Sequence, residues 1–110
     1  MNFLRTAGIF LLAGLAEISG GWLVWQWLRE GRPMMWGISG SLILIVYGVI
    51  PTLQQEANFG RVYAAYGGIF VILSLAWAWA FDGWIPDRFD MLGGMIVLAG
   101  VGVIMWGRGF

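Results

Sequence analysis

The sequence lacks cysteine, histidine and lysine, and it has few charged residues of any kind. Without cysteine and histidine it has no thiolate nucleophile, no disulfide, no Ser-His-Asp triad and no ordinary zinc site. Charged residues make up 11% of the 110 residues, against about 25% in soluble domains. Six arginines balance six acidic residues, which excludes a basic nucleic-acid surface. The composition, 60% hydrophobic, indicates a membrane protein that is not an enzyme and has no nucleic-acid partner.

Four apolar runs are long enough to cross a lipid bilayer. They cover residues 6–28, 34–53, 62–81 and 91–107, within the usual spanning length of about 17 to 25 residues. Short connections rich in charge, glycine or proline separate them, and Pro51 is expected to bend or end the second helix. We therefore predict an all-α membrane protein, with residues 1–110 forming a single four-helix domain.

The arginines give no preference for one orientation in the membrane. Four spans place both termini and the second connection on one side, and the other two connections on the opposite side. Three arginines fall on each side: Arg5, Arg61 and Arg108 with the termini, and Arg29, Arg32 and Arg88 opposite. Because cytoplasmic loops normally carry an excess of positive charge, this tie predicts insertion in both orientations. Two copies would then form an antiparallel homodimer around a site near the bilayer midplane.

Glu17 is the only one of the 12 charged residues that falls inside an apolar run. A charge at that depth costs about 2.5 to 3.5 kcal/mol on insertion scales, so its side chain should face protein or water. Burial disfavours the ionised form of a carboxyl group, so an acid there can gain and lose a proton near neutral pH. At helical spacing its neighbours include Gly14 and Gly20, which leave room for another helix or for a ligand.

Aromatic residues recur at helical spacing along the third run, at Tyr63, Tyr66 and Phe70. In most helices such a stripe packs against other helices. Together with a buried carboxylate, however, it suits organic cations, because ring faces and the anion both attract them.

In the fourth run, Gly93 and Gly100 lie seven residues apart on one face, which permits close helix packing. The aspartates of the third connection are expected to cap the fourth helix. We expect neither a metal site nor a cofactor.

Several of these segments together resemble the YnfA group, the UPF0060 family, a branch of the small multidrug resistance superfamily. The most specific is GRVYAAYGG at residues 60–68, supported by AEISG at 16–20, WLR at 27–29 and DG at 82–83. The resemblance covers essentially the whole chain.

This resemblance implies a four-helix subunit of the bacterial inner membrane that works as an antiparallel homodimer. It implies that Glu17 binds protons and a cationic substrate in competition, that Tyr63 and Tyr66 line the substrate pocket, and that Gly93 and Gly100 form the dimer contact. From their helical spacing we add Gly14 and Phe70 to the expected pocket. The better known exporters carry tryptophan at the position of Tyr66. The resemblance therefore implies architecture more firmly than cargo.

The expected function is proton-coupled export of small hydrophobic organic cations, such as quaternary ammonium compounds or dyes. Its partners would be the lipid bilayer, a second copy of the chain, the cation and protons. Two alternatives stay open: a non-transporting assembly partner in which Glu17 is a structural hydrogen-bonding group, and a passive proton or ion leak.

Overall fold

The computed structural model describes residues 3–56 and 58–107. They form four α-helices: α1 (Phe3–Leu28), α2 (Met34–Val49), α3 (Phe59–Phe81) and α4 (Arg88–Trp106). Each helix, α2 together with the turn that continues it, is long and apolar enough to cross a membrane, which confirms the prediction of four spans. Arg108, which entered the arginine count, lies outside the described residues.

Three of the helices begin three residues before the predicted apolar runs, at Phe3, Phe59 and Arg88. Each early start adds a turn that holds a charged residue, such as Arg5, Arg61 or Asp90. The predicted apolar runs begin only after these charged residues, because charged side chains belong in water. The helical backbone needs only its own hydrogen bonds, so it continues for about one more turn.

Pro51 ends the second helix, as predicted. A proline has no backbone N–H and its ring excludes a regular helix interior. The α-helical geometry therefore ends at Val49, and a short 3-10 turn, Ile50–Leu53, continues the span. The backbone N–H of Gln54 closes this turn by donating to the Pro51 carbonyl at 3.2 Å.

The chain divides into two compact units, one of residues 2–54 and one that begins at residue 55. In the first unit, α1 and α2 pack closely as a helical hairpin. A β-carbon built on Gly40 would lie 2.6 Å from the Gly20 carbonyl oxygen, and one on Gly20 would lie 2.9 Å from the Gly40 carbonyl oxygen. Farther along, Gly37 lies against the Trp27 ring, where it leaves no room for a side chain. Small residues thus allow the two backbones to approach.

Two long-range hydrogen bonds join the other end of this hairpin. The Gln54 side-chain amide donates to the Thr6 carbonyl at 3.0 Å, in a buried position. The Arg5 guanidinium donates to the Leu53 carbonyl at 3.2 Å. Both bonds use carbonyl groups near helix ends, and the Leu53 carbonyl is one that a helix terminus leaves without an intrahelical partner.

The second unit contains the α3–α4 hairpin. Gly68 lies directly against the Val101 side chain, and a β-carbon on Gly94 would lie 3.1 Å from Ile72. At the start of α4, Asp87 accepts hydrogen bonds from the backbone N–H groups of Phe89 and Asp90, both at 2.9 Å. The Asp90 carboxylate accepts from the Asp87 N–H at 2.9 Å and completes a capping box. This confirms the predicted capping of the fourth helix.

Candidate functional site: an acid in the first span and aromatic rings on the third

Glu17 lies in the middle of α1, 14 residues after Phe3 and 11 before Leu28. At 1.5 Å per residue these intervals correspond to about 21 Å and 16 Å along the helix axis. The other charged residues within the helices, Arg5, Arg61, Arg88 and Asp90, all lie in the first turn of their helix. The carboxyl group is thus placed near the middle of a span, where ionisable groups are costly and are usually functional.

The face of α1 that carries Glu17 is a closely packed one. Phe10, Ala13 and Gly14, one and two turns before Glu17, are all buried. Gly20, one turn after it, is the residue in contact with Gly40 of α2. Glu17 itself is half-buried, beside this contact. Gly21 is exposed, and a β-carbon on it would meet nothing within 4 Å. The carboxyl group therefore has a packed helix contact on one flank and a small exposed residue on the other.

Aromatic rings form a continuous ladder along one face of α3. The ring centroids of Phe59 and Tyr63 are 4.3 Å apart, those of Tyr63 and Tyr66 are 6.2 Å apart, and those of Tyr66 and Phe70 are 6.0 Å apart. The last two pairs meet edge to face, which is a favourable geometry for aromatic rings. The predicted pocket residues Tyr63, Tyr66 and Phe70 are thus brought into contact with one another, and their role as a pocket stays a prediction.

The aromatic ladder and the Gly68 contact with α4 lie on different sides of α3. Gly68, which contacts Val101 of α4, follows Tyr66 by two residues, a rotation of roughly 200° around the helix axis. The ladder therefore lies away from this contact around the helix, and its central ring, Tyr66, is buried. Ser74 is on the ladder side as well, but its hydroxyl donates to the Phe70 carbonyl at 2.8 Å, so its hydrogen is already used.

The predicted site residues divide between the two units. Glu17 and Gly14 belong to the first hairpin, and the aromatic ladder belongs to the second. The first unit therefore holds the carboxyl group and the second holds the series of ring faces.

Gly93 and Gly100 lie on an open face of α4. A β-carbon on either residue would meet nothing within 4 Å, and both are exposed. The neighbouring Gly94, by contrast, faces α3. The pair is therefore not needed for packing against α3, and its assignment to a dimer contact stays a prediction.

Two arginine–tryptophan contacts that the sequence does not predict lie around the first loop. The Arg29 Cζ atom lies 4.6 Å from the centroid of the Trp25 ring, and the Arg32 Cζ atom lies 5.1 Å from that of Trp36. Both pairs are four residues apart in the sequence, the spacing of neighbours on a helix face, although Arg29 just follows α1 and Arg32 just precedes α2. That spacing was the available signal, but each tryptophan by itself indicates only an interfacial position.

Outside the spans, Asp87 has a perturbed acidity. The backbone N–H of Asp90, and after it the Asp90 side chain and the Phe89 N–H, hold the pKa of Asp87 below its ordinary value of 3.8, while burial opposes this. The two backbone N–H groups donate to the carboxylate and so favour its ionised form. The charge then sits at the positive end of the α4 dipole.

The family is decided by comparison with known sequences. The family model described as "Uncharacterised BCR, YnfA/UPF0060 family" matches residues 3–109. The chain belongs to this family. Its predicted resemblance to YnfA proteins is therefore confirmed, and it is a membrane protein with four apolar helices.

Members of the YnfA/UPF0060 family in several bacteria are similar along most of their length. A UPF0060 membrane protein of Desulfitobacterium hafniense is 60% identical over 98 residues, which cover 89% of this chain and 91% of that protein. One from Bacillus licheniformis is 59% identical, with 90% and 92% covered. The UPF0060 membrane protein YfjF of Bacillus subtilis is 56% identical, with 94% of each chain covered. No solved structure matches the chain.

Proposed function

We propose that this YnfA/UPF0060 protein is a proton-coupled antiporter of small hydrophobic organic cations, and not an enzyme. The observation that carries the proposal is Glu17, a half-buried carboxyl group near the middle of a membrane-spanning helix. A charge-bearing group is rarely kept at that depth without a transport or binding role.

The aromatic ladder of α3 supports a cation as the substrate. Tyrosine and phenylalanine rings attract cations through their electron-rich faces and also accept apolar substituents. Edge-to-face contacts between Tyr63, Tyr66 and Phe70 hold these rings in a defined arrangement. A hydrophobic ammonium ion has the apolar groups that ring faces accept and the positive charge that a carboxylate attracts.

Competition at Glu17 would supply the coupling between substrate and protons. The ionised carboxylate attracts a cation, whereas the protonated group is neutral and has lost that attraction. A proton arriving from one side therefore favours release of the cation, and loss of that proton permits a new cation to bind. If both bound together without penalty, the proton gradient could not drive export.

The proposed working unit is an antiparallel homodimer in the bacterial inner membrane. Two copies in opposite orientations would act as inverted repeats around a shared site. The tie in the arginine count is consistent with both orientations. Gly93 and Gly100 are exposed and free of side-chain neighbours within 4 Å, so this face of α4 can accept a helix of the second copy.

The decisive experiment measures transport in liposomes with a pH gradient across the membrane. The purified protein is reconstituted beside two variants, Glu17→Gln and Glu30→Gln, and uptake of tetraphenylphosphonium, ethidium and tetraethylammonium is followed. Glu30 lies in the exposed first loop, so it provides the same chemical change outside the span. We expect gradient-driven uptake of at least one cation in the parent and in Glu30→Gln, and none in Glu17→Gln.

Other outcomes would contradict the proposal in distinct ways. Equal uptake by the parent and by Glu17→Gln would remove Glu17 from the mechanism. Proton flux without any cation, recorded with a pH-sensitive dye inside the liposomes, would instead indicate a leak. A parent protein that moves neither protons nor any of the cations would favour the assembly-partner function.

A further inference from the structure

The first loop presents two arginines held against tryptophan rings. Arg29 lies over Trp25, and Arg32 lies over Trp36, with Cζ-to-centroid distances of 4.6 and 5.1 Å. The Trp36 ring in turn lies 6.1 Å from that of Trp22, centroid to centroid. Stacking of this kind restricts a long side chain while its N–H donors remain directed outward around the guanidinium edge.

The guanidinium donors of Arg29 and Arg32 are not used by other residues in the described part of the chain. Arg61 pairs with Glu56 at 3.1 Å, and Arg5 donates to the Leu53 carbonyl. Arg29 and Arg32, in contrast, have only their ring contacts and backbone hydrogen bonds within residues 3–56 and 58–107. A guanidinium presents five N–H donors whose spacing fits two oxygens of a phosphate or carboxylate. The loop therefore has two binding groups for an anion.

An apolar groove adjoins Trp36, the ring partner of Arg32. It has a volume of about 350 Å³ and is lined by Leu23, Pro33, Met35, Trp36 and Ser39. Trp36 belongs to both features, since one ring contacts Arg32 and also forms a wall of the groove. An occupant would therefore need an anionic group and an apolar chain next to each other.

We propose that this end of the α1–α2 hairpin binds an anionic phospholipid, with the phosphate on Arg29 and Arg32 and part of an acyl chain in the groove. Phosphatidylglycerol has both chemical parts, and its headgroup has no cation that the arginines would repel. The loop between two spans lies at the membrane surface, where such lipids are found. This lipid site is independent of cation transport.

Arg88 provides a matched control. Its Cζ atom lies 5.0 Å from the Phe89 ring centroid, so it too is an exposed arginine over an aromatic ring. Its sequence neighbourhood is acidic, however: residues 82–90 contain three aspartates and this one arginine, whereas residues 29–33 contain two arginines and one glutamate. Local charge therefore disfavours an anionic headgroup at Arg88.

Native mass spectrometry of the detergent-purified protein tests the site. The protein is titrated with phosphatidylglycerol and, separately, with phosphatidylcholine that has the same acyl chains. We expect phosphatidylglycerol to bind more tightly by on the order of 10-fold. The double variant Arg29→Gln/Arg32→Gln should bind both lipids equally, and Arg88→Gln should keep the preference.

A second variant and a soluble competitor test the groove. Ser39→Phe would fill the groove but keep both arginines, and we expect it to weaken phosphatidylglycerol binding. Excess glycerol phosphate, which has the phosphate but no acyl chain, should not displace the lipid. The proposal is overturned if the parent binds the two lipids equally, if Arg88→Gln loses the preference to the same extent, if Ser39→Phe binds normally, or if glycerol phosphate displaces the lipid.

Discussion

Gly20 and Gly40 meet backbone to backbone, so that a β-carbon on either residue would lie within 3.0 Å of the other residue's carbonyl oxygen. This contact is one turn from Glu17. Because a backbone carbonyl obstructs each position, rotation of a side chain cannot make room, and the helices must separate before a larger residue fits. The position of the carboxyl group relative to α2 therefore depends on two residues that carry no functional group of their own.

Gly40→Ala should destabilise the first hairpin by about 1 to 3 kcal/mol, the usual cost of overpacking a tight contact. Gly48→Ala, in the same helix, is the control because a β-carbon there would meet nothing within 4 Å. Reversible unfolding in mixed detergent and sodium dodecyl sulfate micelles measures the difference between the two variants. Equal stabilities would show that the hairpin readily accommodates the added methyl group.

Tyr66→Leu should weaken cation binding by roughly 2- to 30-fold, which corresponds to about 0.5 to 2 kcal/mol for one cation–ring interaction. Tyr66→Phe keeps the ring and should bind nearly as well as the parent. Trp79→Leu serves as the control, since Trp79 lies 13 residues along the same helix, on roughly the opposite face from Tyr66. Fluorescence titration with a cationic dye provides the dissociation constants. Equal binding by Tyr66→Leu and the parent would exclude the ring from the site.

Gly100→Val should lower the fraction of dimer without unfolding the subunit, because this face of α4 is open within the chain. A bulky side chain would hold a second helix away. Gly102→Val is the matched control: a β-carbon at Gly102 also meets nothing within 4 Å, and the residue faces about 160° away from Gly100. Chemical crosslinking in liposomes measures the dimer fraction. A parallel loss of dimer in both variants would place the contact elsewhere.

Asp87→Asn should remove part of the acid sensitivity of the second hairpin. The pKa of Asp87 is below its ordinary value of 3.8, chiefly because of the Asp90 backbone N–H. Its ionised form therefore contributes stability that is fully present above that ordinary value and is lost as the pH falls through the lowered pKa. Asparagine keeps a side-chain oxygen for capping but has no such titration. Thermal unfolding of both proteins between pH 2 and pH 6, about two pH units on either side of the ordinary aspartate value, tests this expectation.

Much of the architecture follows from the sequence because a bilayer imposes a minimum length on each apolar run. Glu17 was identifiable for the same reason, since it alone interrupts such a run. The apolar pattern does not predict the first turns of three helices, because it stops at charged residues, while helical hydrogen bonding extends through residues such as Arg61 and Asp90.

Contacts between helices were harder to predict. Glycine pairs occur on several faces, and the sequence alone does not distinguish Gly20, which packs against α2, from Gly21, which does not. The sequence does not predict the Trp25–Arg29 and Arg32–Trp36 contacts, because a spacing of four residues permits contact but does not require it.

The hydrogen bond from Gln54 to the Thr6 carbonyl joins positions 48 residues apart and so has a consequence for biosynthesis. The bond cannot form until the ribosome has added Gln54, after the whole of α2 has been made. The Arg5 bond to Leu53 also spans 48 residues and becomes available at nearly the same stage. Final closure of the hairpin is therefore a late event in synthesis of the first half of the chain.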